Sequence, residues 1–373
     1  AYSYARDTAH LDFFSLADHS DAISPTEWAE VKYQADYHNQ DGIFTTFYGF
    51  EWSSNGMYGH VAVINTNDYC TINAPTDTFE GLVNWLASYP TGIAFFNHPG
   101  RENLNGLEFN HFSTTPSDQF VGIELWNNKD PFTRYFYNDG YYPGDNKGYY
   151  DEALTRGWRV GAMGAGDNHK ATWGTAFPYR MAILADNLTR SDLLEAMQSR
   201  RFYSTLDKNL LLSFKINGLE MGSGLIGSNH TAQIQAADGD NEIFTEAVLY
   251  DRDHNIVNTW TLNTNNINET IDLDTYDGDY YYVKVKQADG DEAISSPIWI
   301  SGSTANRFPV CSITNPVSYA TATALNNLTI DASAADPDGI ITKVEFYQGR
   351  TKLGEDMTGP YTFNWSGVTV GSY

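Results

Sequence analysis

The first half of the chain contains six short apolar runs separated by segments with a helical pattern. The runs are LDFFSLA, IFTTFYGF, HVAVINT, GIAFFN, GIELW and WRVGAMGA. Runs of this length predict buried strands. Between them, SPTE predicts a helix that Ser24 caps, with Pro25 at its first position and Glu27 as the capping-box partner. FEGLVNWLASY and SDLLEAMQSRR predict two further helices. Alternating strands and helices predict an α/β domain, with a parallel sheet or barrel and helices outside, over residues 1–205.

From about residue 206 the pattern changes to strand-like segments and turns, without helical periodicity. The segments are LLLSFKIN, TAQIQAA, EAVLYD, NTWTLN and YYYVKVKQA. They predict an antiparallel β-sandwich over residues 206–302. STANRFP, near 303–309, predicts a linker. LTIDASA, ITKVEFYQG and YTFNWSG then predict the strands of a last all-β module over residues 303–373.

Composition narrows the classes of function. A chain of 373 residues is long enough for two or three domains. A formal net charge of −25 repels nucleic-acid phosphates and anionic lipid, so we expect no scanning of nucleic acid. A phosphorylated substrate stays compatible with that charge, because a bound metal inverts the local field. No apolar run approaches the ~20 residues that span a bilayer, so we expect no membrane span. Cys70 and Cys311 lie far apart, and we expect both to be unpaired.

Imidazoles and carboxylates lie at the ends of the predicted strands of the first domain. They are His19, Glu51, His98, Asp167 and His169 after four different runs, and His60 at the start of HVAVINT. Each one alone could be a hydrogen-bonded or solvated residue. In a parallel sheet or barrel, however, the carboxyl ends of the strands lie at one face and build the site. Imidazole and carboxylate together suit zinc, manganese or iron. The pattern therefore predicts a metal centre.

Four motifs resemble those of a known family. LADHSD, GFEWSSNGMYGH, NHPGR and GAGDNHK occur in the order found in the PHP (polymerase and histidinol phosphatase) family of metal-dependent phosphoesterases. The likeness is greatest to the branch that includes carbaryl-hydrolase-like proteins, and it covers residues 1 to about 220. It implies a distorted (β/α)7 barrel with two or three divalent metal ions (Mn, Zn or Fe). By position it implies these metal ligands: His19, Glu51, His60, His98, Asp167 and His169. Glu51 would bridge the metals.

One element of that family is not found in the sequence. The family opens with a His-x-His motif on its first strand, whereas this chain begins AYSYARDTA, a pattern typical of the helix after that strand. His10 and His38 do not have the spacing of the missing pair. We expect the motif to lie upstream of Ala1. The alternative is a degenerate domain that binds fewer metals.

The last region resembles the bacterial Ig-like modules of secreted, multidomain enzymes. The ADPDG turn and the KVEFYQG strand carry this likeness. It implies a secreted, periplasmic or cell-surface bacterial protein, with the module as a spacer or as a means of association with a cell surface or polysaccharide. We expect its acidic turns to be solvated. We also expect residues 206–373 to contribute no metal ligand.

The leading functional hypothesis is hydrolysis of a phosphomonoester or phosphodiester, in a small-molecule or glycan-linked substrate, by a metal-bridging hydroxide. Arg101 is the candidate bidentate phosphate clamp, although a structural salt bridge with a nearby acid is the alternative. Asp167 could combine metal binding with proton transfer, and Lys170 could point into the site. A carbamate or carboxyl ester is the second hypothesis, since the same hydroxide attacks either centre. A non-catalytic binding module is the third.

Overall fold

The computed structural model describes most of the chain and divides it into two compact units. The described residues are 1–54, 57–101, 108–128, 148–227, 229–252, 254–273, 275, 279–301, 310–316, 320, 327–335, 340–348 and 351–369. One unit holds Ala1–Leu225, Asn229–Asp274 and Asp279–Trp299, and the other holds Ile226–Ser228, Thr275–Gly278 and Ile300–Tyr373. The predicted linker near 303–309 lies outside the described residues.

The first sheet contains all six strands that the apolar runs predict. They are β1 (Phe13–His19), β2 (Thr45–Ser53), β3 (His60–Ile64), β4 (Ile93–Asn97), β5 (Phe120–Asn127) and β6 (Gly161–Ala165). The strands are hydrogen-bonded in sequence order. The helices are α1 (Tyr2–Asp7), α2 (Pro25–His38), α3 (Phe79–Leu86), α4 (Tyr149–Thr155) and α5 (Arg190–Gln198), and Glu108–Phe112 forms a short left-handed turn. The predicted capping box is present, with reciprocal hydrogen bonds between Ser24 and Glu27.

The sheet departs from the predicted (β/α)7 barrel in two respects. First, β3 is antiparallel to both β2 and β4, while β1 and β2 are parallel and β4, β5 and β6 are parallel. A loop of only six residues, 54–59, joins β2 to β3, which allows a hairpin but not a helical crossover. Second, among the described residues the sheet forms a half-barrel of six strands and does not close. The described strands thus form a mixed half-barrel sheet, and the complete (β/α)7 barrel stays a prediction.

The rest of the first unit is built of strands. These are β7 (Arg180–Ile183), β8 (Phe202–Thr205), β9 (Leu210–Ile216), β10 (Leu219–Glu220), β11 (Gly224–Ile226), β12 (His230–Asp238), β13 (Phe244–Tyr250), β14 (Ile256–Thr264), β15 (Asn266–Leu273), β16 (Tyr280–Gln287), β17 (Glu292–Ser295) and β18 (Ile298–Ser301). One sheet has the order β10-β9-β12-β15, and another has the order β11-β18-β16-β17-β8-β7 with β13 beside β16 and β14 beside β13.

The second of these sheets crosses the predicted boundary at residue 205. Strands β7 and β8 precede the boundary, yet β8 pairs with β17 after it. The aromatic core is also continuous, since it contains Phe96 and Trp158 on one side of the boundary and Tyr282 on the other. The strands and core on the two sides of this boundary therefore belong to one compact unit. Its division into the domains 1–205 and 206–302 stays a prediction.

The second unit is a small β module. Its strands are β19 (Val310–Asn315), β20 (Asn327–Ala335), β21 (Val344–Gln348), β22 (Thr351–Asp356) and β23 (Tyr361–Ser366). They form a sheet β19-β20-β23 and a hairpin β21-β22, with Ile330 and Phe346 in the core. The described part of residues 206–373 is thus all-β, as predicted. Cys70 and Cys311 are both free thiols. Among the described residues, no helix has the length and apolar character needed to cross a bilayer.

Candidate metal centre

Strand register brings the predicted ligands of the first four strands together. His19 ends β1 and lies beside Glu51 on β2 in the parallel pairing. Because β3 runs antiparallel, its first residue lies at the same edge of the sheet as the ends of its neighbours. His60 is accordingly opposite Ser53 on β2 and Asn97 on β4. The position of His60 at a strand start, which the parallel-sheet expectation does not explain, follows from this reversal.

Three imidazoles surround one carboxylate, and we call His19, Glu51, His60 and His98 the Glu51 cluster. His19 Nε2 lies 3.1 Å from Glu51 Oε2. His60 Nδ1 and His98 Nε2 lie 3.3 and 3.4 Å from Glu51 Oε1. Glu51 is 5% exposed and His98 2% exposed. One ligand atom each from His19, Glu51 and His60 fits within a span of 4.8 Å.

The charge of Glu51 is stabilised where it lies. Burial acts to raise the pKa of this carboxyl, but hydrogen bonds and charge from His60 and His98 outweigh it, so the net shift is downward. Asn97, the last residue of β4, also donates its Nδ2 to Glu51 Oε1 at 2.7 Å. The sequence analysis did not single out Asn97. Its place at a strand end, just before His98, is the same signal that identified its neighbours.

Asp167 and His169, the predicted ligands after β6, lie beside the Glu51 cluster but are not part of it. The rings of His19 and His169 have centroids 6.2 Å apart. His169 Nδ1 is 3.5 Å from Asp167 Oδ1, and the His169 side chain is 67% exposed. Asp167 and His98 both have a positive φ, of 44° and 30° respectively. Residues other than glycine rarely adopt this backbone conformation, which costs roughly 1 kcal/mol or more. Such strain is concentrated at functional sites.

Arg101 forms the salt bridge that the sequence left open as the alternative to a phosphate clamp. Its Nη1 lies 2.9 Å from Asp167 Oδ2, and its Nη2 donates to Asn127 Oδ1 at 2.5 Å. Its guanidinium therefore holds one predicted ligand in place. Lys170 is exposed, and it is not among the residues that line the cavity described below. The structure thus does not bring Lys170 to the site.

Glu124 is a site residue that the sequence analysis missed. It lies on β5 and is 3% exposed, and its Oε2 accepts hydrogen bonds from the His98 backbone N–H and from Asn127 Nδ2, both at 2.7 Å. Burial raises the pKa of Glu124 to about 8, with the charges of Asp167 and Glu51 adding to the rise. In the sequence, Glu124 is visible only as a single charged residue inside the apolar run FVGIELW.

A large cavity opens at this edge of the sheet. Its volume is about 1690 Å³, and His19, Glu51, Glu124, Asp167 and His169 are among its lining residues. Apolar side chains of β7 and β9, including Met181 and Leu212, line another part of the wall. A typical small-molecule pocket has roughly 300–1,000 Å³, so this cavity has room for more than a small ester. A buried acidic and imidazole-rich patch in a mixed cavity is typical of a binding or catalytic site.

The residues present fit a divalent metal. Three nitrogen donors and a carboxylate are the ligand set of zinc, manganese and iron sites. Two ligands bonded at about 2.0–2.2 Å to one ion are themselves roughly 3.0–3.4 Å apart, which is the spacing of the imidazole nitrogens from the Glu51 oxygens. His98 Nδ1 is also buried and has no hydrogen-bond partner among the described residues. The cluster contains three imidazoles and one carboxylate at close range. The sequence does not contain the His-x-His pair that would add two further imidazoles.

Two family models match different parts of the chain. Residues 4–129 match the family described as Protein of unknown function (DUF3604), and residues 309–373 match the family described as Bacterial Ig domain. The first match includes His19, Glu51, His60, His98 and Arg101. The second agrees with the Ig-like module that the sequence predicts, and bacterial Ig domains are typical of extracellular proteins. No match to a PHP model accompanies these two, so membership of the PHP family stays a prediction.

The chain is also similar to curated proteins from Chlamydia. It is 23% identical over 338 residues to an uncharacterized protein of Chlamydia pneumoniae, covering 80% of this chain and 53% of that protein. It is 27% identical over 177 residues to an uncharacterized protein of Chlamydia trachomatis serovar D, covering 40% of this chain and 28% of that protein. The chain thus spans about half the length, or less, of these relatives.

Among solved structures, fibronectin(III)-like modules of Clostridium thermocellum CbhA match at 22% identity, over 42% of this chain and 79% of theirs. The TM-score is 0.18, which is too low to indicate a shared fold. The chain is therefore similar to one family over its first third and to bacterial Ig domains at its end.

Proposed function

We propose that this chain is a metal-dependent hydrolase and that its substrate is a phosphoester, as the resemblance to PHP phosphoesterases implies. One observation carries the proposal. Imidazole nitrogens of His19, His60 and His98 all lie within 3.4 Å of the carboxylate of one buried glutamate, at the mouth of a large cavity. The complete (β/α)7 barrel and membership of the PHP family belong to the same proposal.

The Glu51 cluster would hold the metal. His19, His60 and His98 supply nitrogen donors, and Glu51 supplies two carboxylate oxygens that face different imidazoles. A bound divalent metal would supply Lewis acidity and a nucleophilic water at neutral pH. His169 and Asp167 lie close enough to complete a second coordination position on the cavity side. Asn97 fixes Glu51 through its 2.7 Å hydrogen bond, so the cluster keeps its shape.

Arg101 and Glu124 would orient the site. Arg101 holds Asp167 and Asn127, and Asn127 in turn donates to Glu124. This chain of hydrogen bonds connects the ends of β4, β5 and β6. A phosphate oxygen that reached Arg101 would compete with Asp167 for the guanidinium, so Arg101 acts first as a positioning residue. The exposed Lys170 has no part in this arrangement.

Substrate hydrolysis with defined metals is the test. The metal-free chain is incubated with Mn²⁺ or Zn²⁺, its metal content is measured by mass spectrometry, and its rate is measured on p-nitrophenyl phosphate, bis-p-nitrophenyl phosphate and 1-naphthyl methylcarbamate. We expect metal uptake and hydrolysis of a phosphoester. We expect Glu51→Gln to lose both, and Glu80→Gln, which changes an exposed carboxylate on α3, to retain both.

The alternatives give different outcomes in the same assay. Hydrolysis of the carbamate alone would replace the phosphoester with a carbamate or carboxyl ester while keeping the metal centre. Metal uptake without hydrolysis of any substrate would favour a binding module. The bacterial Ig domain favours a secreted, periplasmic or cell-surface protein, in which that domain serves as a spacer or associates with a polysaccharide.

A further inference from the structure

A second cluster of carboxylates lies in the strand-rich part of the first unit, outside the candidate site. We call Asp207, Asp238, Glu242 and Gln287 the Gln287 cluster. Asp207 follows β8, Asp238 is the last residue of β12, Glu242 precedes β13, and Gln287 is the last residue of β16. One ligand oxygen from each of the three carboxylates fits within a span of 4.8 Å. Three separate chain segments therefore converge on one point, since Asp238 and Glu242 share one turn.

The three carboxylates share a single amide. Gln287 Nε2 lies 3.4 Å from Asp207 Oδ2, 3.1 Å from Asp238 Oδ2 and 3.3 Å from Glu242 Oε2. An amide nitrogen has only two hydrogens, so it cannot satisfy three acceptors at once. None of the ion pairs among the described residues involves these carboxylates. Among the described residues no ion pair offsets their mutual repulsion, and neighbouring charge from Asp289 and Asp291 adds to it.

The amide oxygen is the independent sign of a ligand. Gln287 is 1% exposed, and its Oε1 is a buried polar atom with no hydrogen-bond partner among the described residues. An orphaned buried acceptor of this kind costs about 1–3 kcal/mol. A half-turn of the amide exchanges Nε2 and Oε1, so that the oxygen faces the carboxylates and the nitrogen takes the position without a partner. That arrangement is unfavourable without a cation and favourable with one.

The donor types select the cation. We propose that the Gln287 cluster binds a calcium ion through the carboxylates of Asp207, Asp238 and Glu242 and the amide oxygen of Gln287. All four donors are oxygens, which suit a hard cation and not the softer metals that imidazole binds. Ca²⁺–oxygen bonds of about 2.3–2.6 Å allow ligands up to roughly 5 Å apart, and one oxygen from each of the three carboxylates lies within that range of the others.

The remaining contacts fix the orientation of the two aspartates. Asp238 Oδ1 accepts the backbone N–H groups of Asp240 and Glu242 at 2.7 and 2.9 Å. Asp207 Oδ1 accepts the N–H of Asn209 at 3.1 Å. These bonds use one oxygen of each aspartate and leave the other directed at Gln287. The ion would join β8, β12, β13 and β16, so it would stabilise the edge where these strands end. The proposal differs from the expectation that residues 206–373 contribute no metal ligand, which stays a prediction.

Calcium titration of the metal-free chain tests the proposal. We expect isothermal titration calorimetry to show one Ca²⁺ per chain, and thermal unfolding to shift to higher temperature with Ca²⁺. Glu242→Gln removes the least buried carboxylate and should weaken Ca²⁺ binding at least roughly tenfold, because carboxylate count sets calcium affinity. Glu269→Gln, the same change on β15 of the same unit, should leave it unaltered.

Several outcomes would overturn the proposal. Absence of both the heat and the thermal shift in the unsubstituted chain would do so without any variant, and so would equal Ca²⁺ affinity in Glu242→Gln. Equally tight Mg²⁺ binding would overturn the assignment to calcium. Glu51→Gln should retain Ca²⁺ binding, and its loss there would place the ion in the Glu51 cluster instead. Failure of the proposed hydrolase activity leaves these results unaffected.

Discussion

The Glu51 cluster and the Gln287 cluster place charge in opposite ways. In the first, three imidazoles surround one buried carboxylate, and the pKa of Glu51 is lowered despite its burial. In the second, three carboxylates surround one amide, and burial together with like charge raises the pKa of Glu242. The imidazoles of the first cluster are themselves partners for its carboxylate, whereas among the described residues no ion pair offsets the carboxylates of the second. We therefore expect the second cluster to depend more on an ion.

This difference in ligand type predicts that the two clusters favour different metals. Nitrogen-rich donors favour zinc, manganese or iron, and oxygen-only donors favour calcium. A single divalent-metal experiment would confuse the two clusters. Experiments that change one donor at a time, and measure both kinds of metal, separate them.

Removal of one imidazole should have the largest effect. His98→Gln takes a buried nitrogen donor from the Glu51 cluster, and we expect Zn²⁺ or Mn²⁺ affinity to fall about a hundredfold or more, with Ca²⁺ affinity unchanged. Metal content after dialysis and calcium titration measure the two quantities. His38→Gln, at the end of α2 and outside the cluster, is the matched control. A parallel loss of both metals in His98→Gln would mean that the clusters are not independent.

A third buried carboxylate shows what a protein does without any ion. Asp151 on α4 is fully buried, with His254 Nδ1 at 3.0 Å and the Tyr282 hydroxyl donating to it at 2.8 Å. Asp151→Asn weakens the buried hydrogen bonds to this side chain, and we expect it to lower the free energy of unfolding by about 3 kcal/mol. Chemical denaturation measures this loss.

The effect of metals on the stability of Asp151→Asn distinguishes this carboxylate from the two clusters. Because its partners come from the protein, the loss in Asp151→Asn should be the same with and without Ca²⁺ or Zn²⁺. Asp186→Asn, an exposed aspartate with the same change, should unfold like the unsubstituted chain. A metal-dependent loss in Asp151→Asn would show that this carboxylate also contributes to an ion site.

The elements of the fold could largely be predicted from the sequence, but their pairing could not. Apolar runs located β1 to β6, and Ser24, Pro25 and Glu27 located the start of α2. Periodicity does not reveal strand direction, so the reversal of β3 and the joining of β8 to β17 had to come from the structure.

The sequence pointed to candidate site residues at strand ends, but it did not point to those within strands or in distant segments. His19, Glu51, His60 and His98 share one edge because register places them there. Glu124 lies inside an apolar strand, and its role depends on burial that the sequence does not show. The Gln287 cluster draws its residues from three segments between 207 and 287, so no local motif in the sequence indicates it.

Gln287→Met should have an intermediate effect on stability. Without Ca²⁺ it removes the donor shared by Asp207, Asp238 and Glu242, and leaves their oxygens to repel one another in a largely buried position. We expect a loss of about 1–3 kcal/mol in the free energy of unfolding. Ca²⁺ should recover part of that loss, because the ion replaces the amide between the carboxylates. A variant as stable as the unsubstituted chain in EGTA would show that the amide does not compensate this repulsion.

An exposed carboxylate should have the smallest effect. Glu345 on β21 accepts hydrogen bonds from the ammonium groups of Lys343 and Lys352 and from the Tyr347 hydroxyl, which lower its pKa to about 2. A lowered pKa means stabilisation that is complete above the ordinary pKa of 4.5 and lost as pH falls towards 2. Because water screens these charges, we expect Glu345→Gln to shift the unfolding of the second unit barely at pH 7, and less still in high salt.

Thermal unfolding from pH 7 to pH 2 should show the difference between variant and unsubstituted chain shrinking below about pH 4.5. Glu269→Gln, on β15 of the first unit, serves as the control. A large loss of stability in Glu345→Gln that persists in high salt would mean that this exposed carboxylate contributes as much as a buried one.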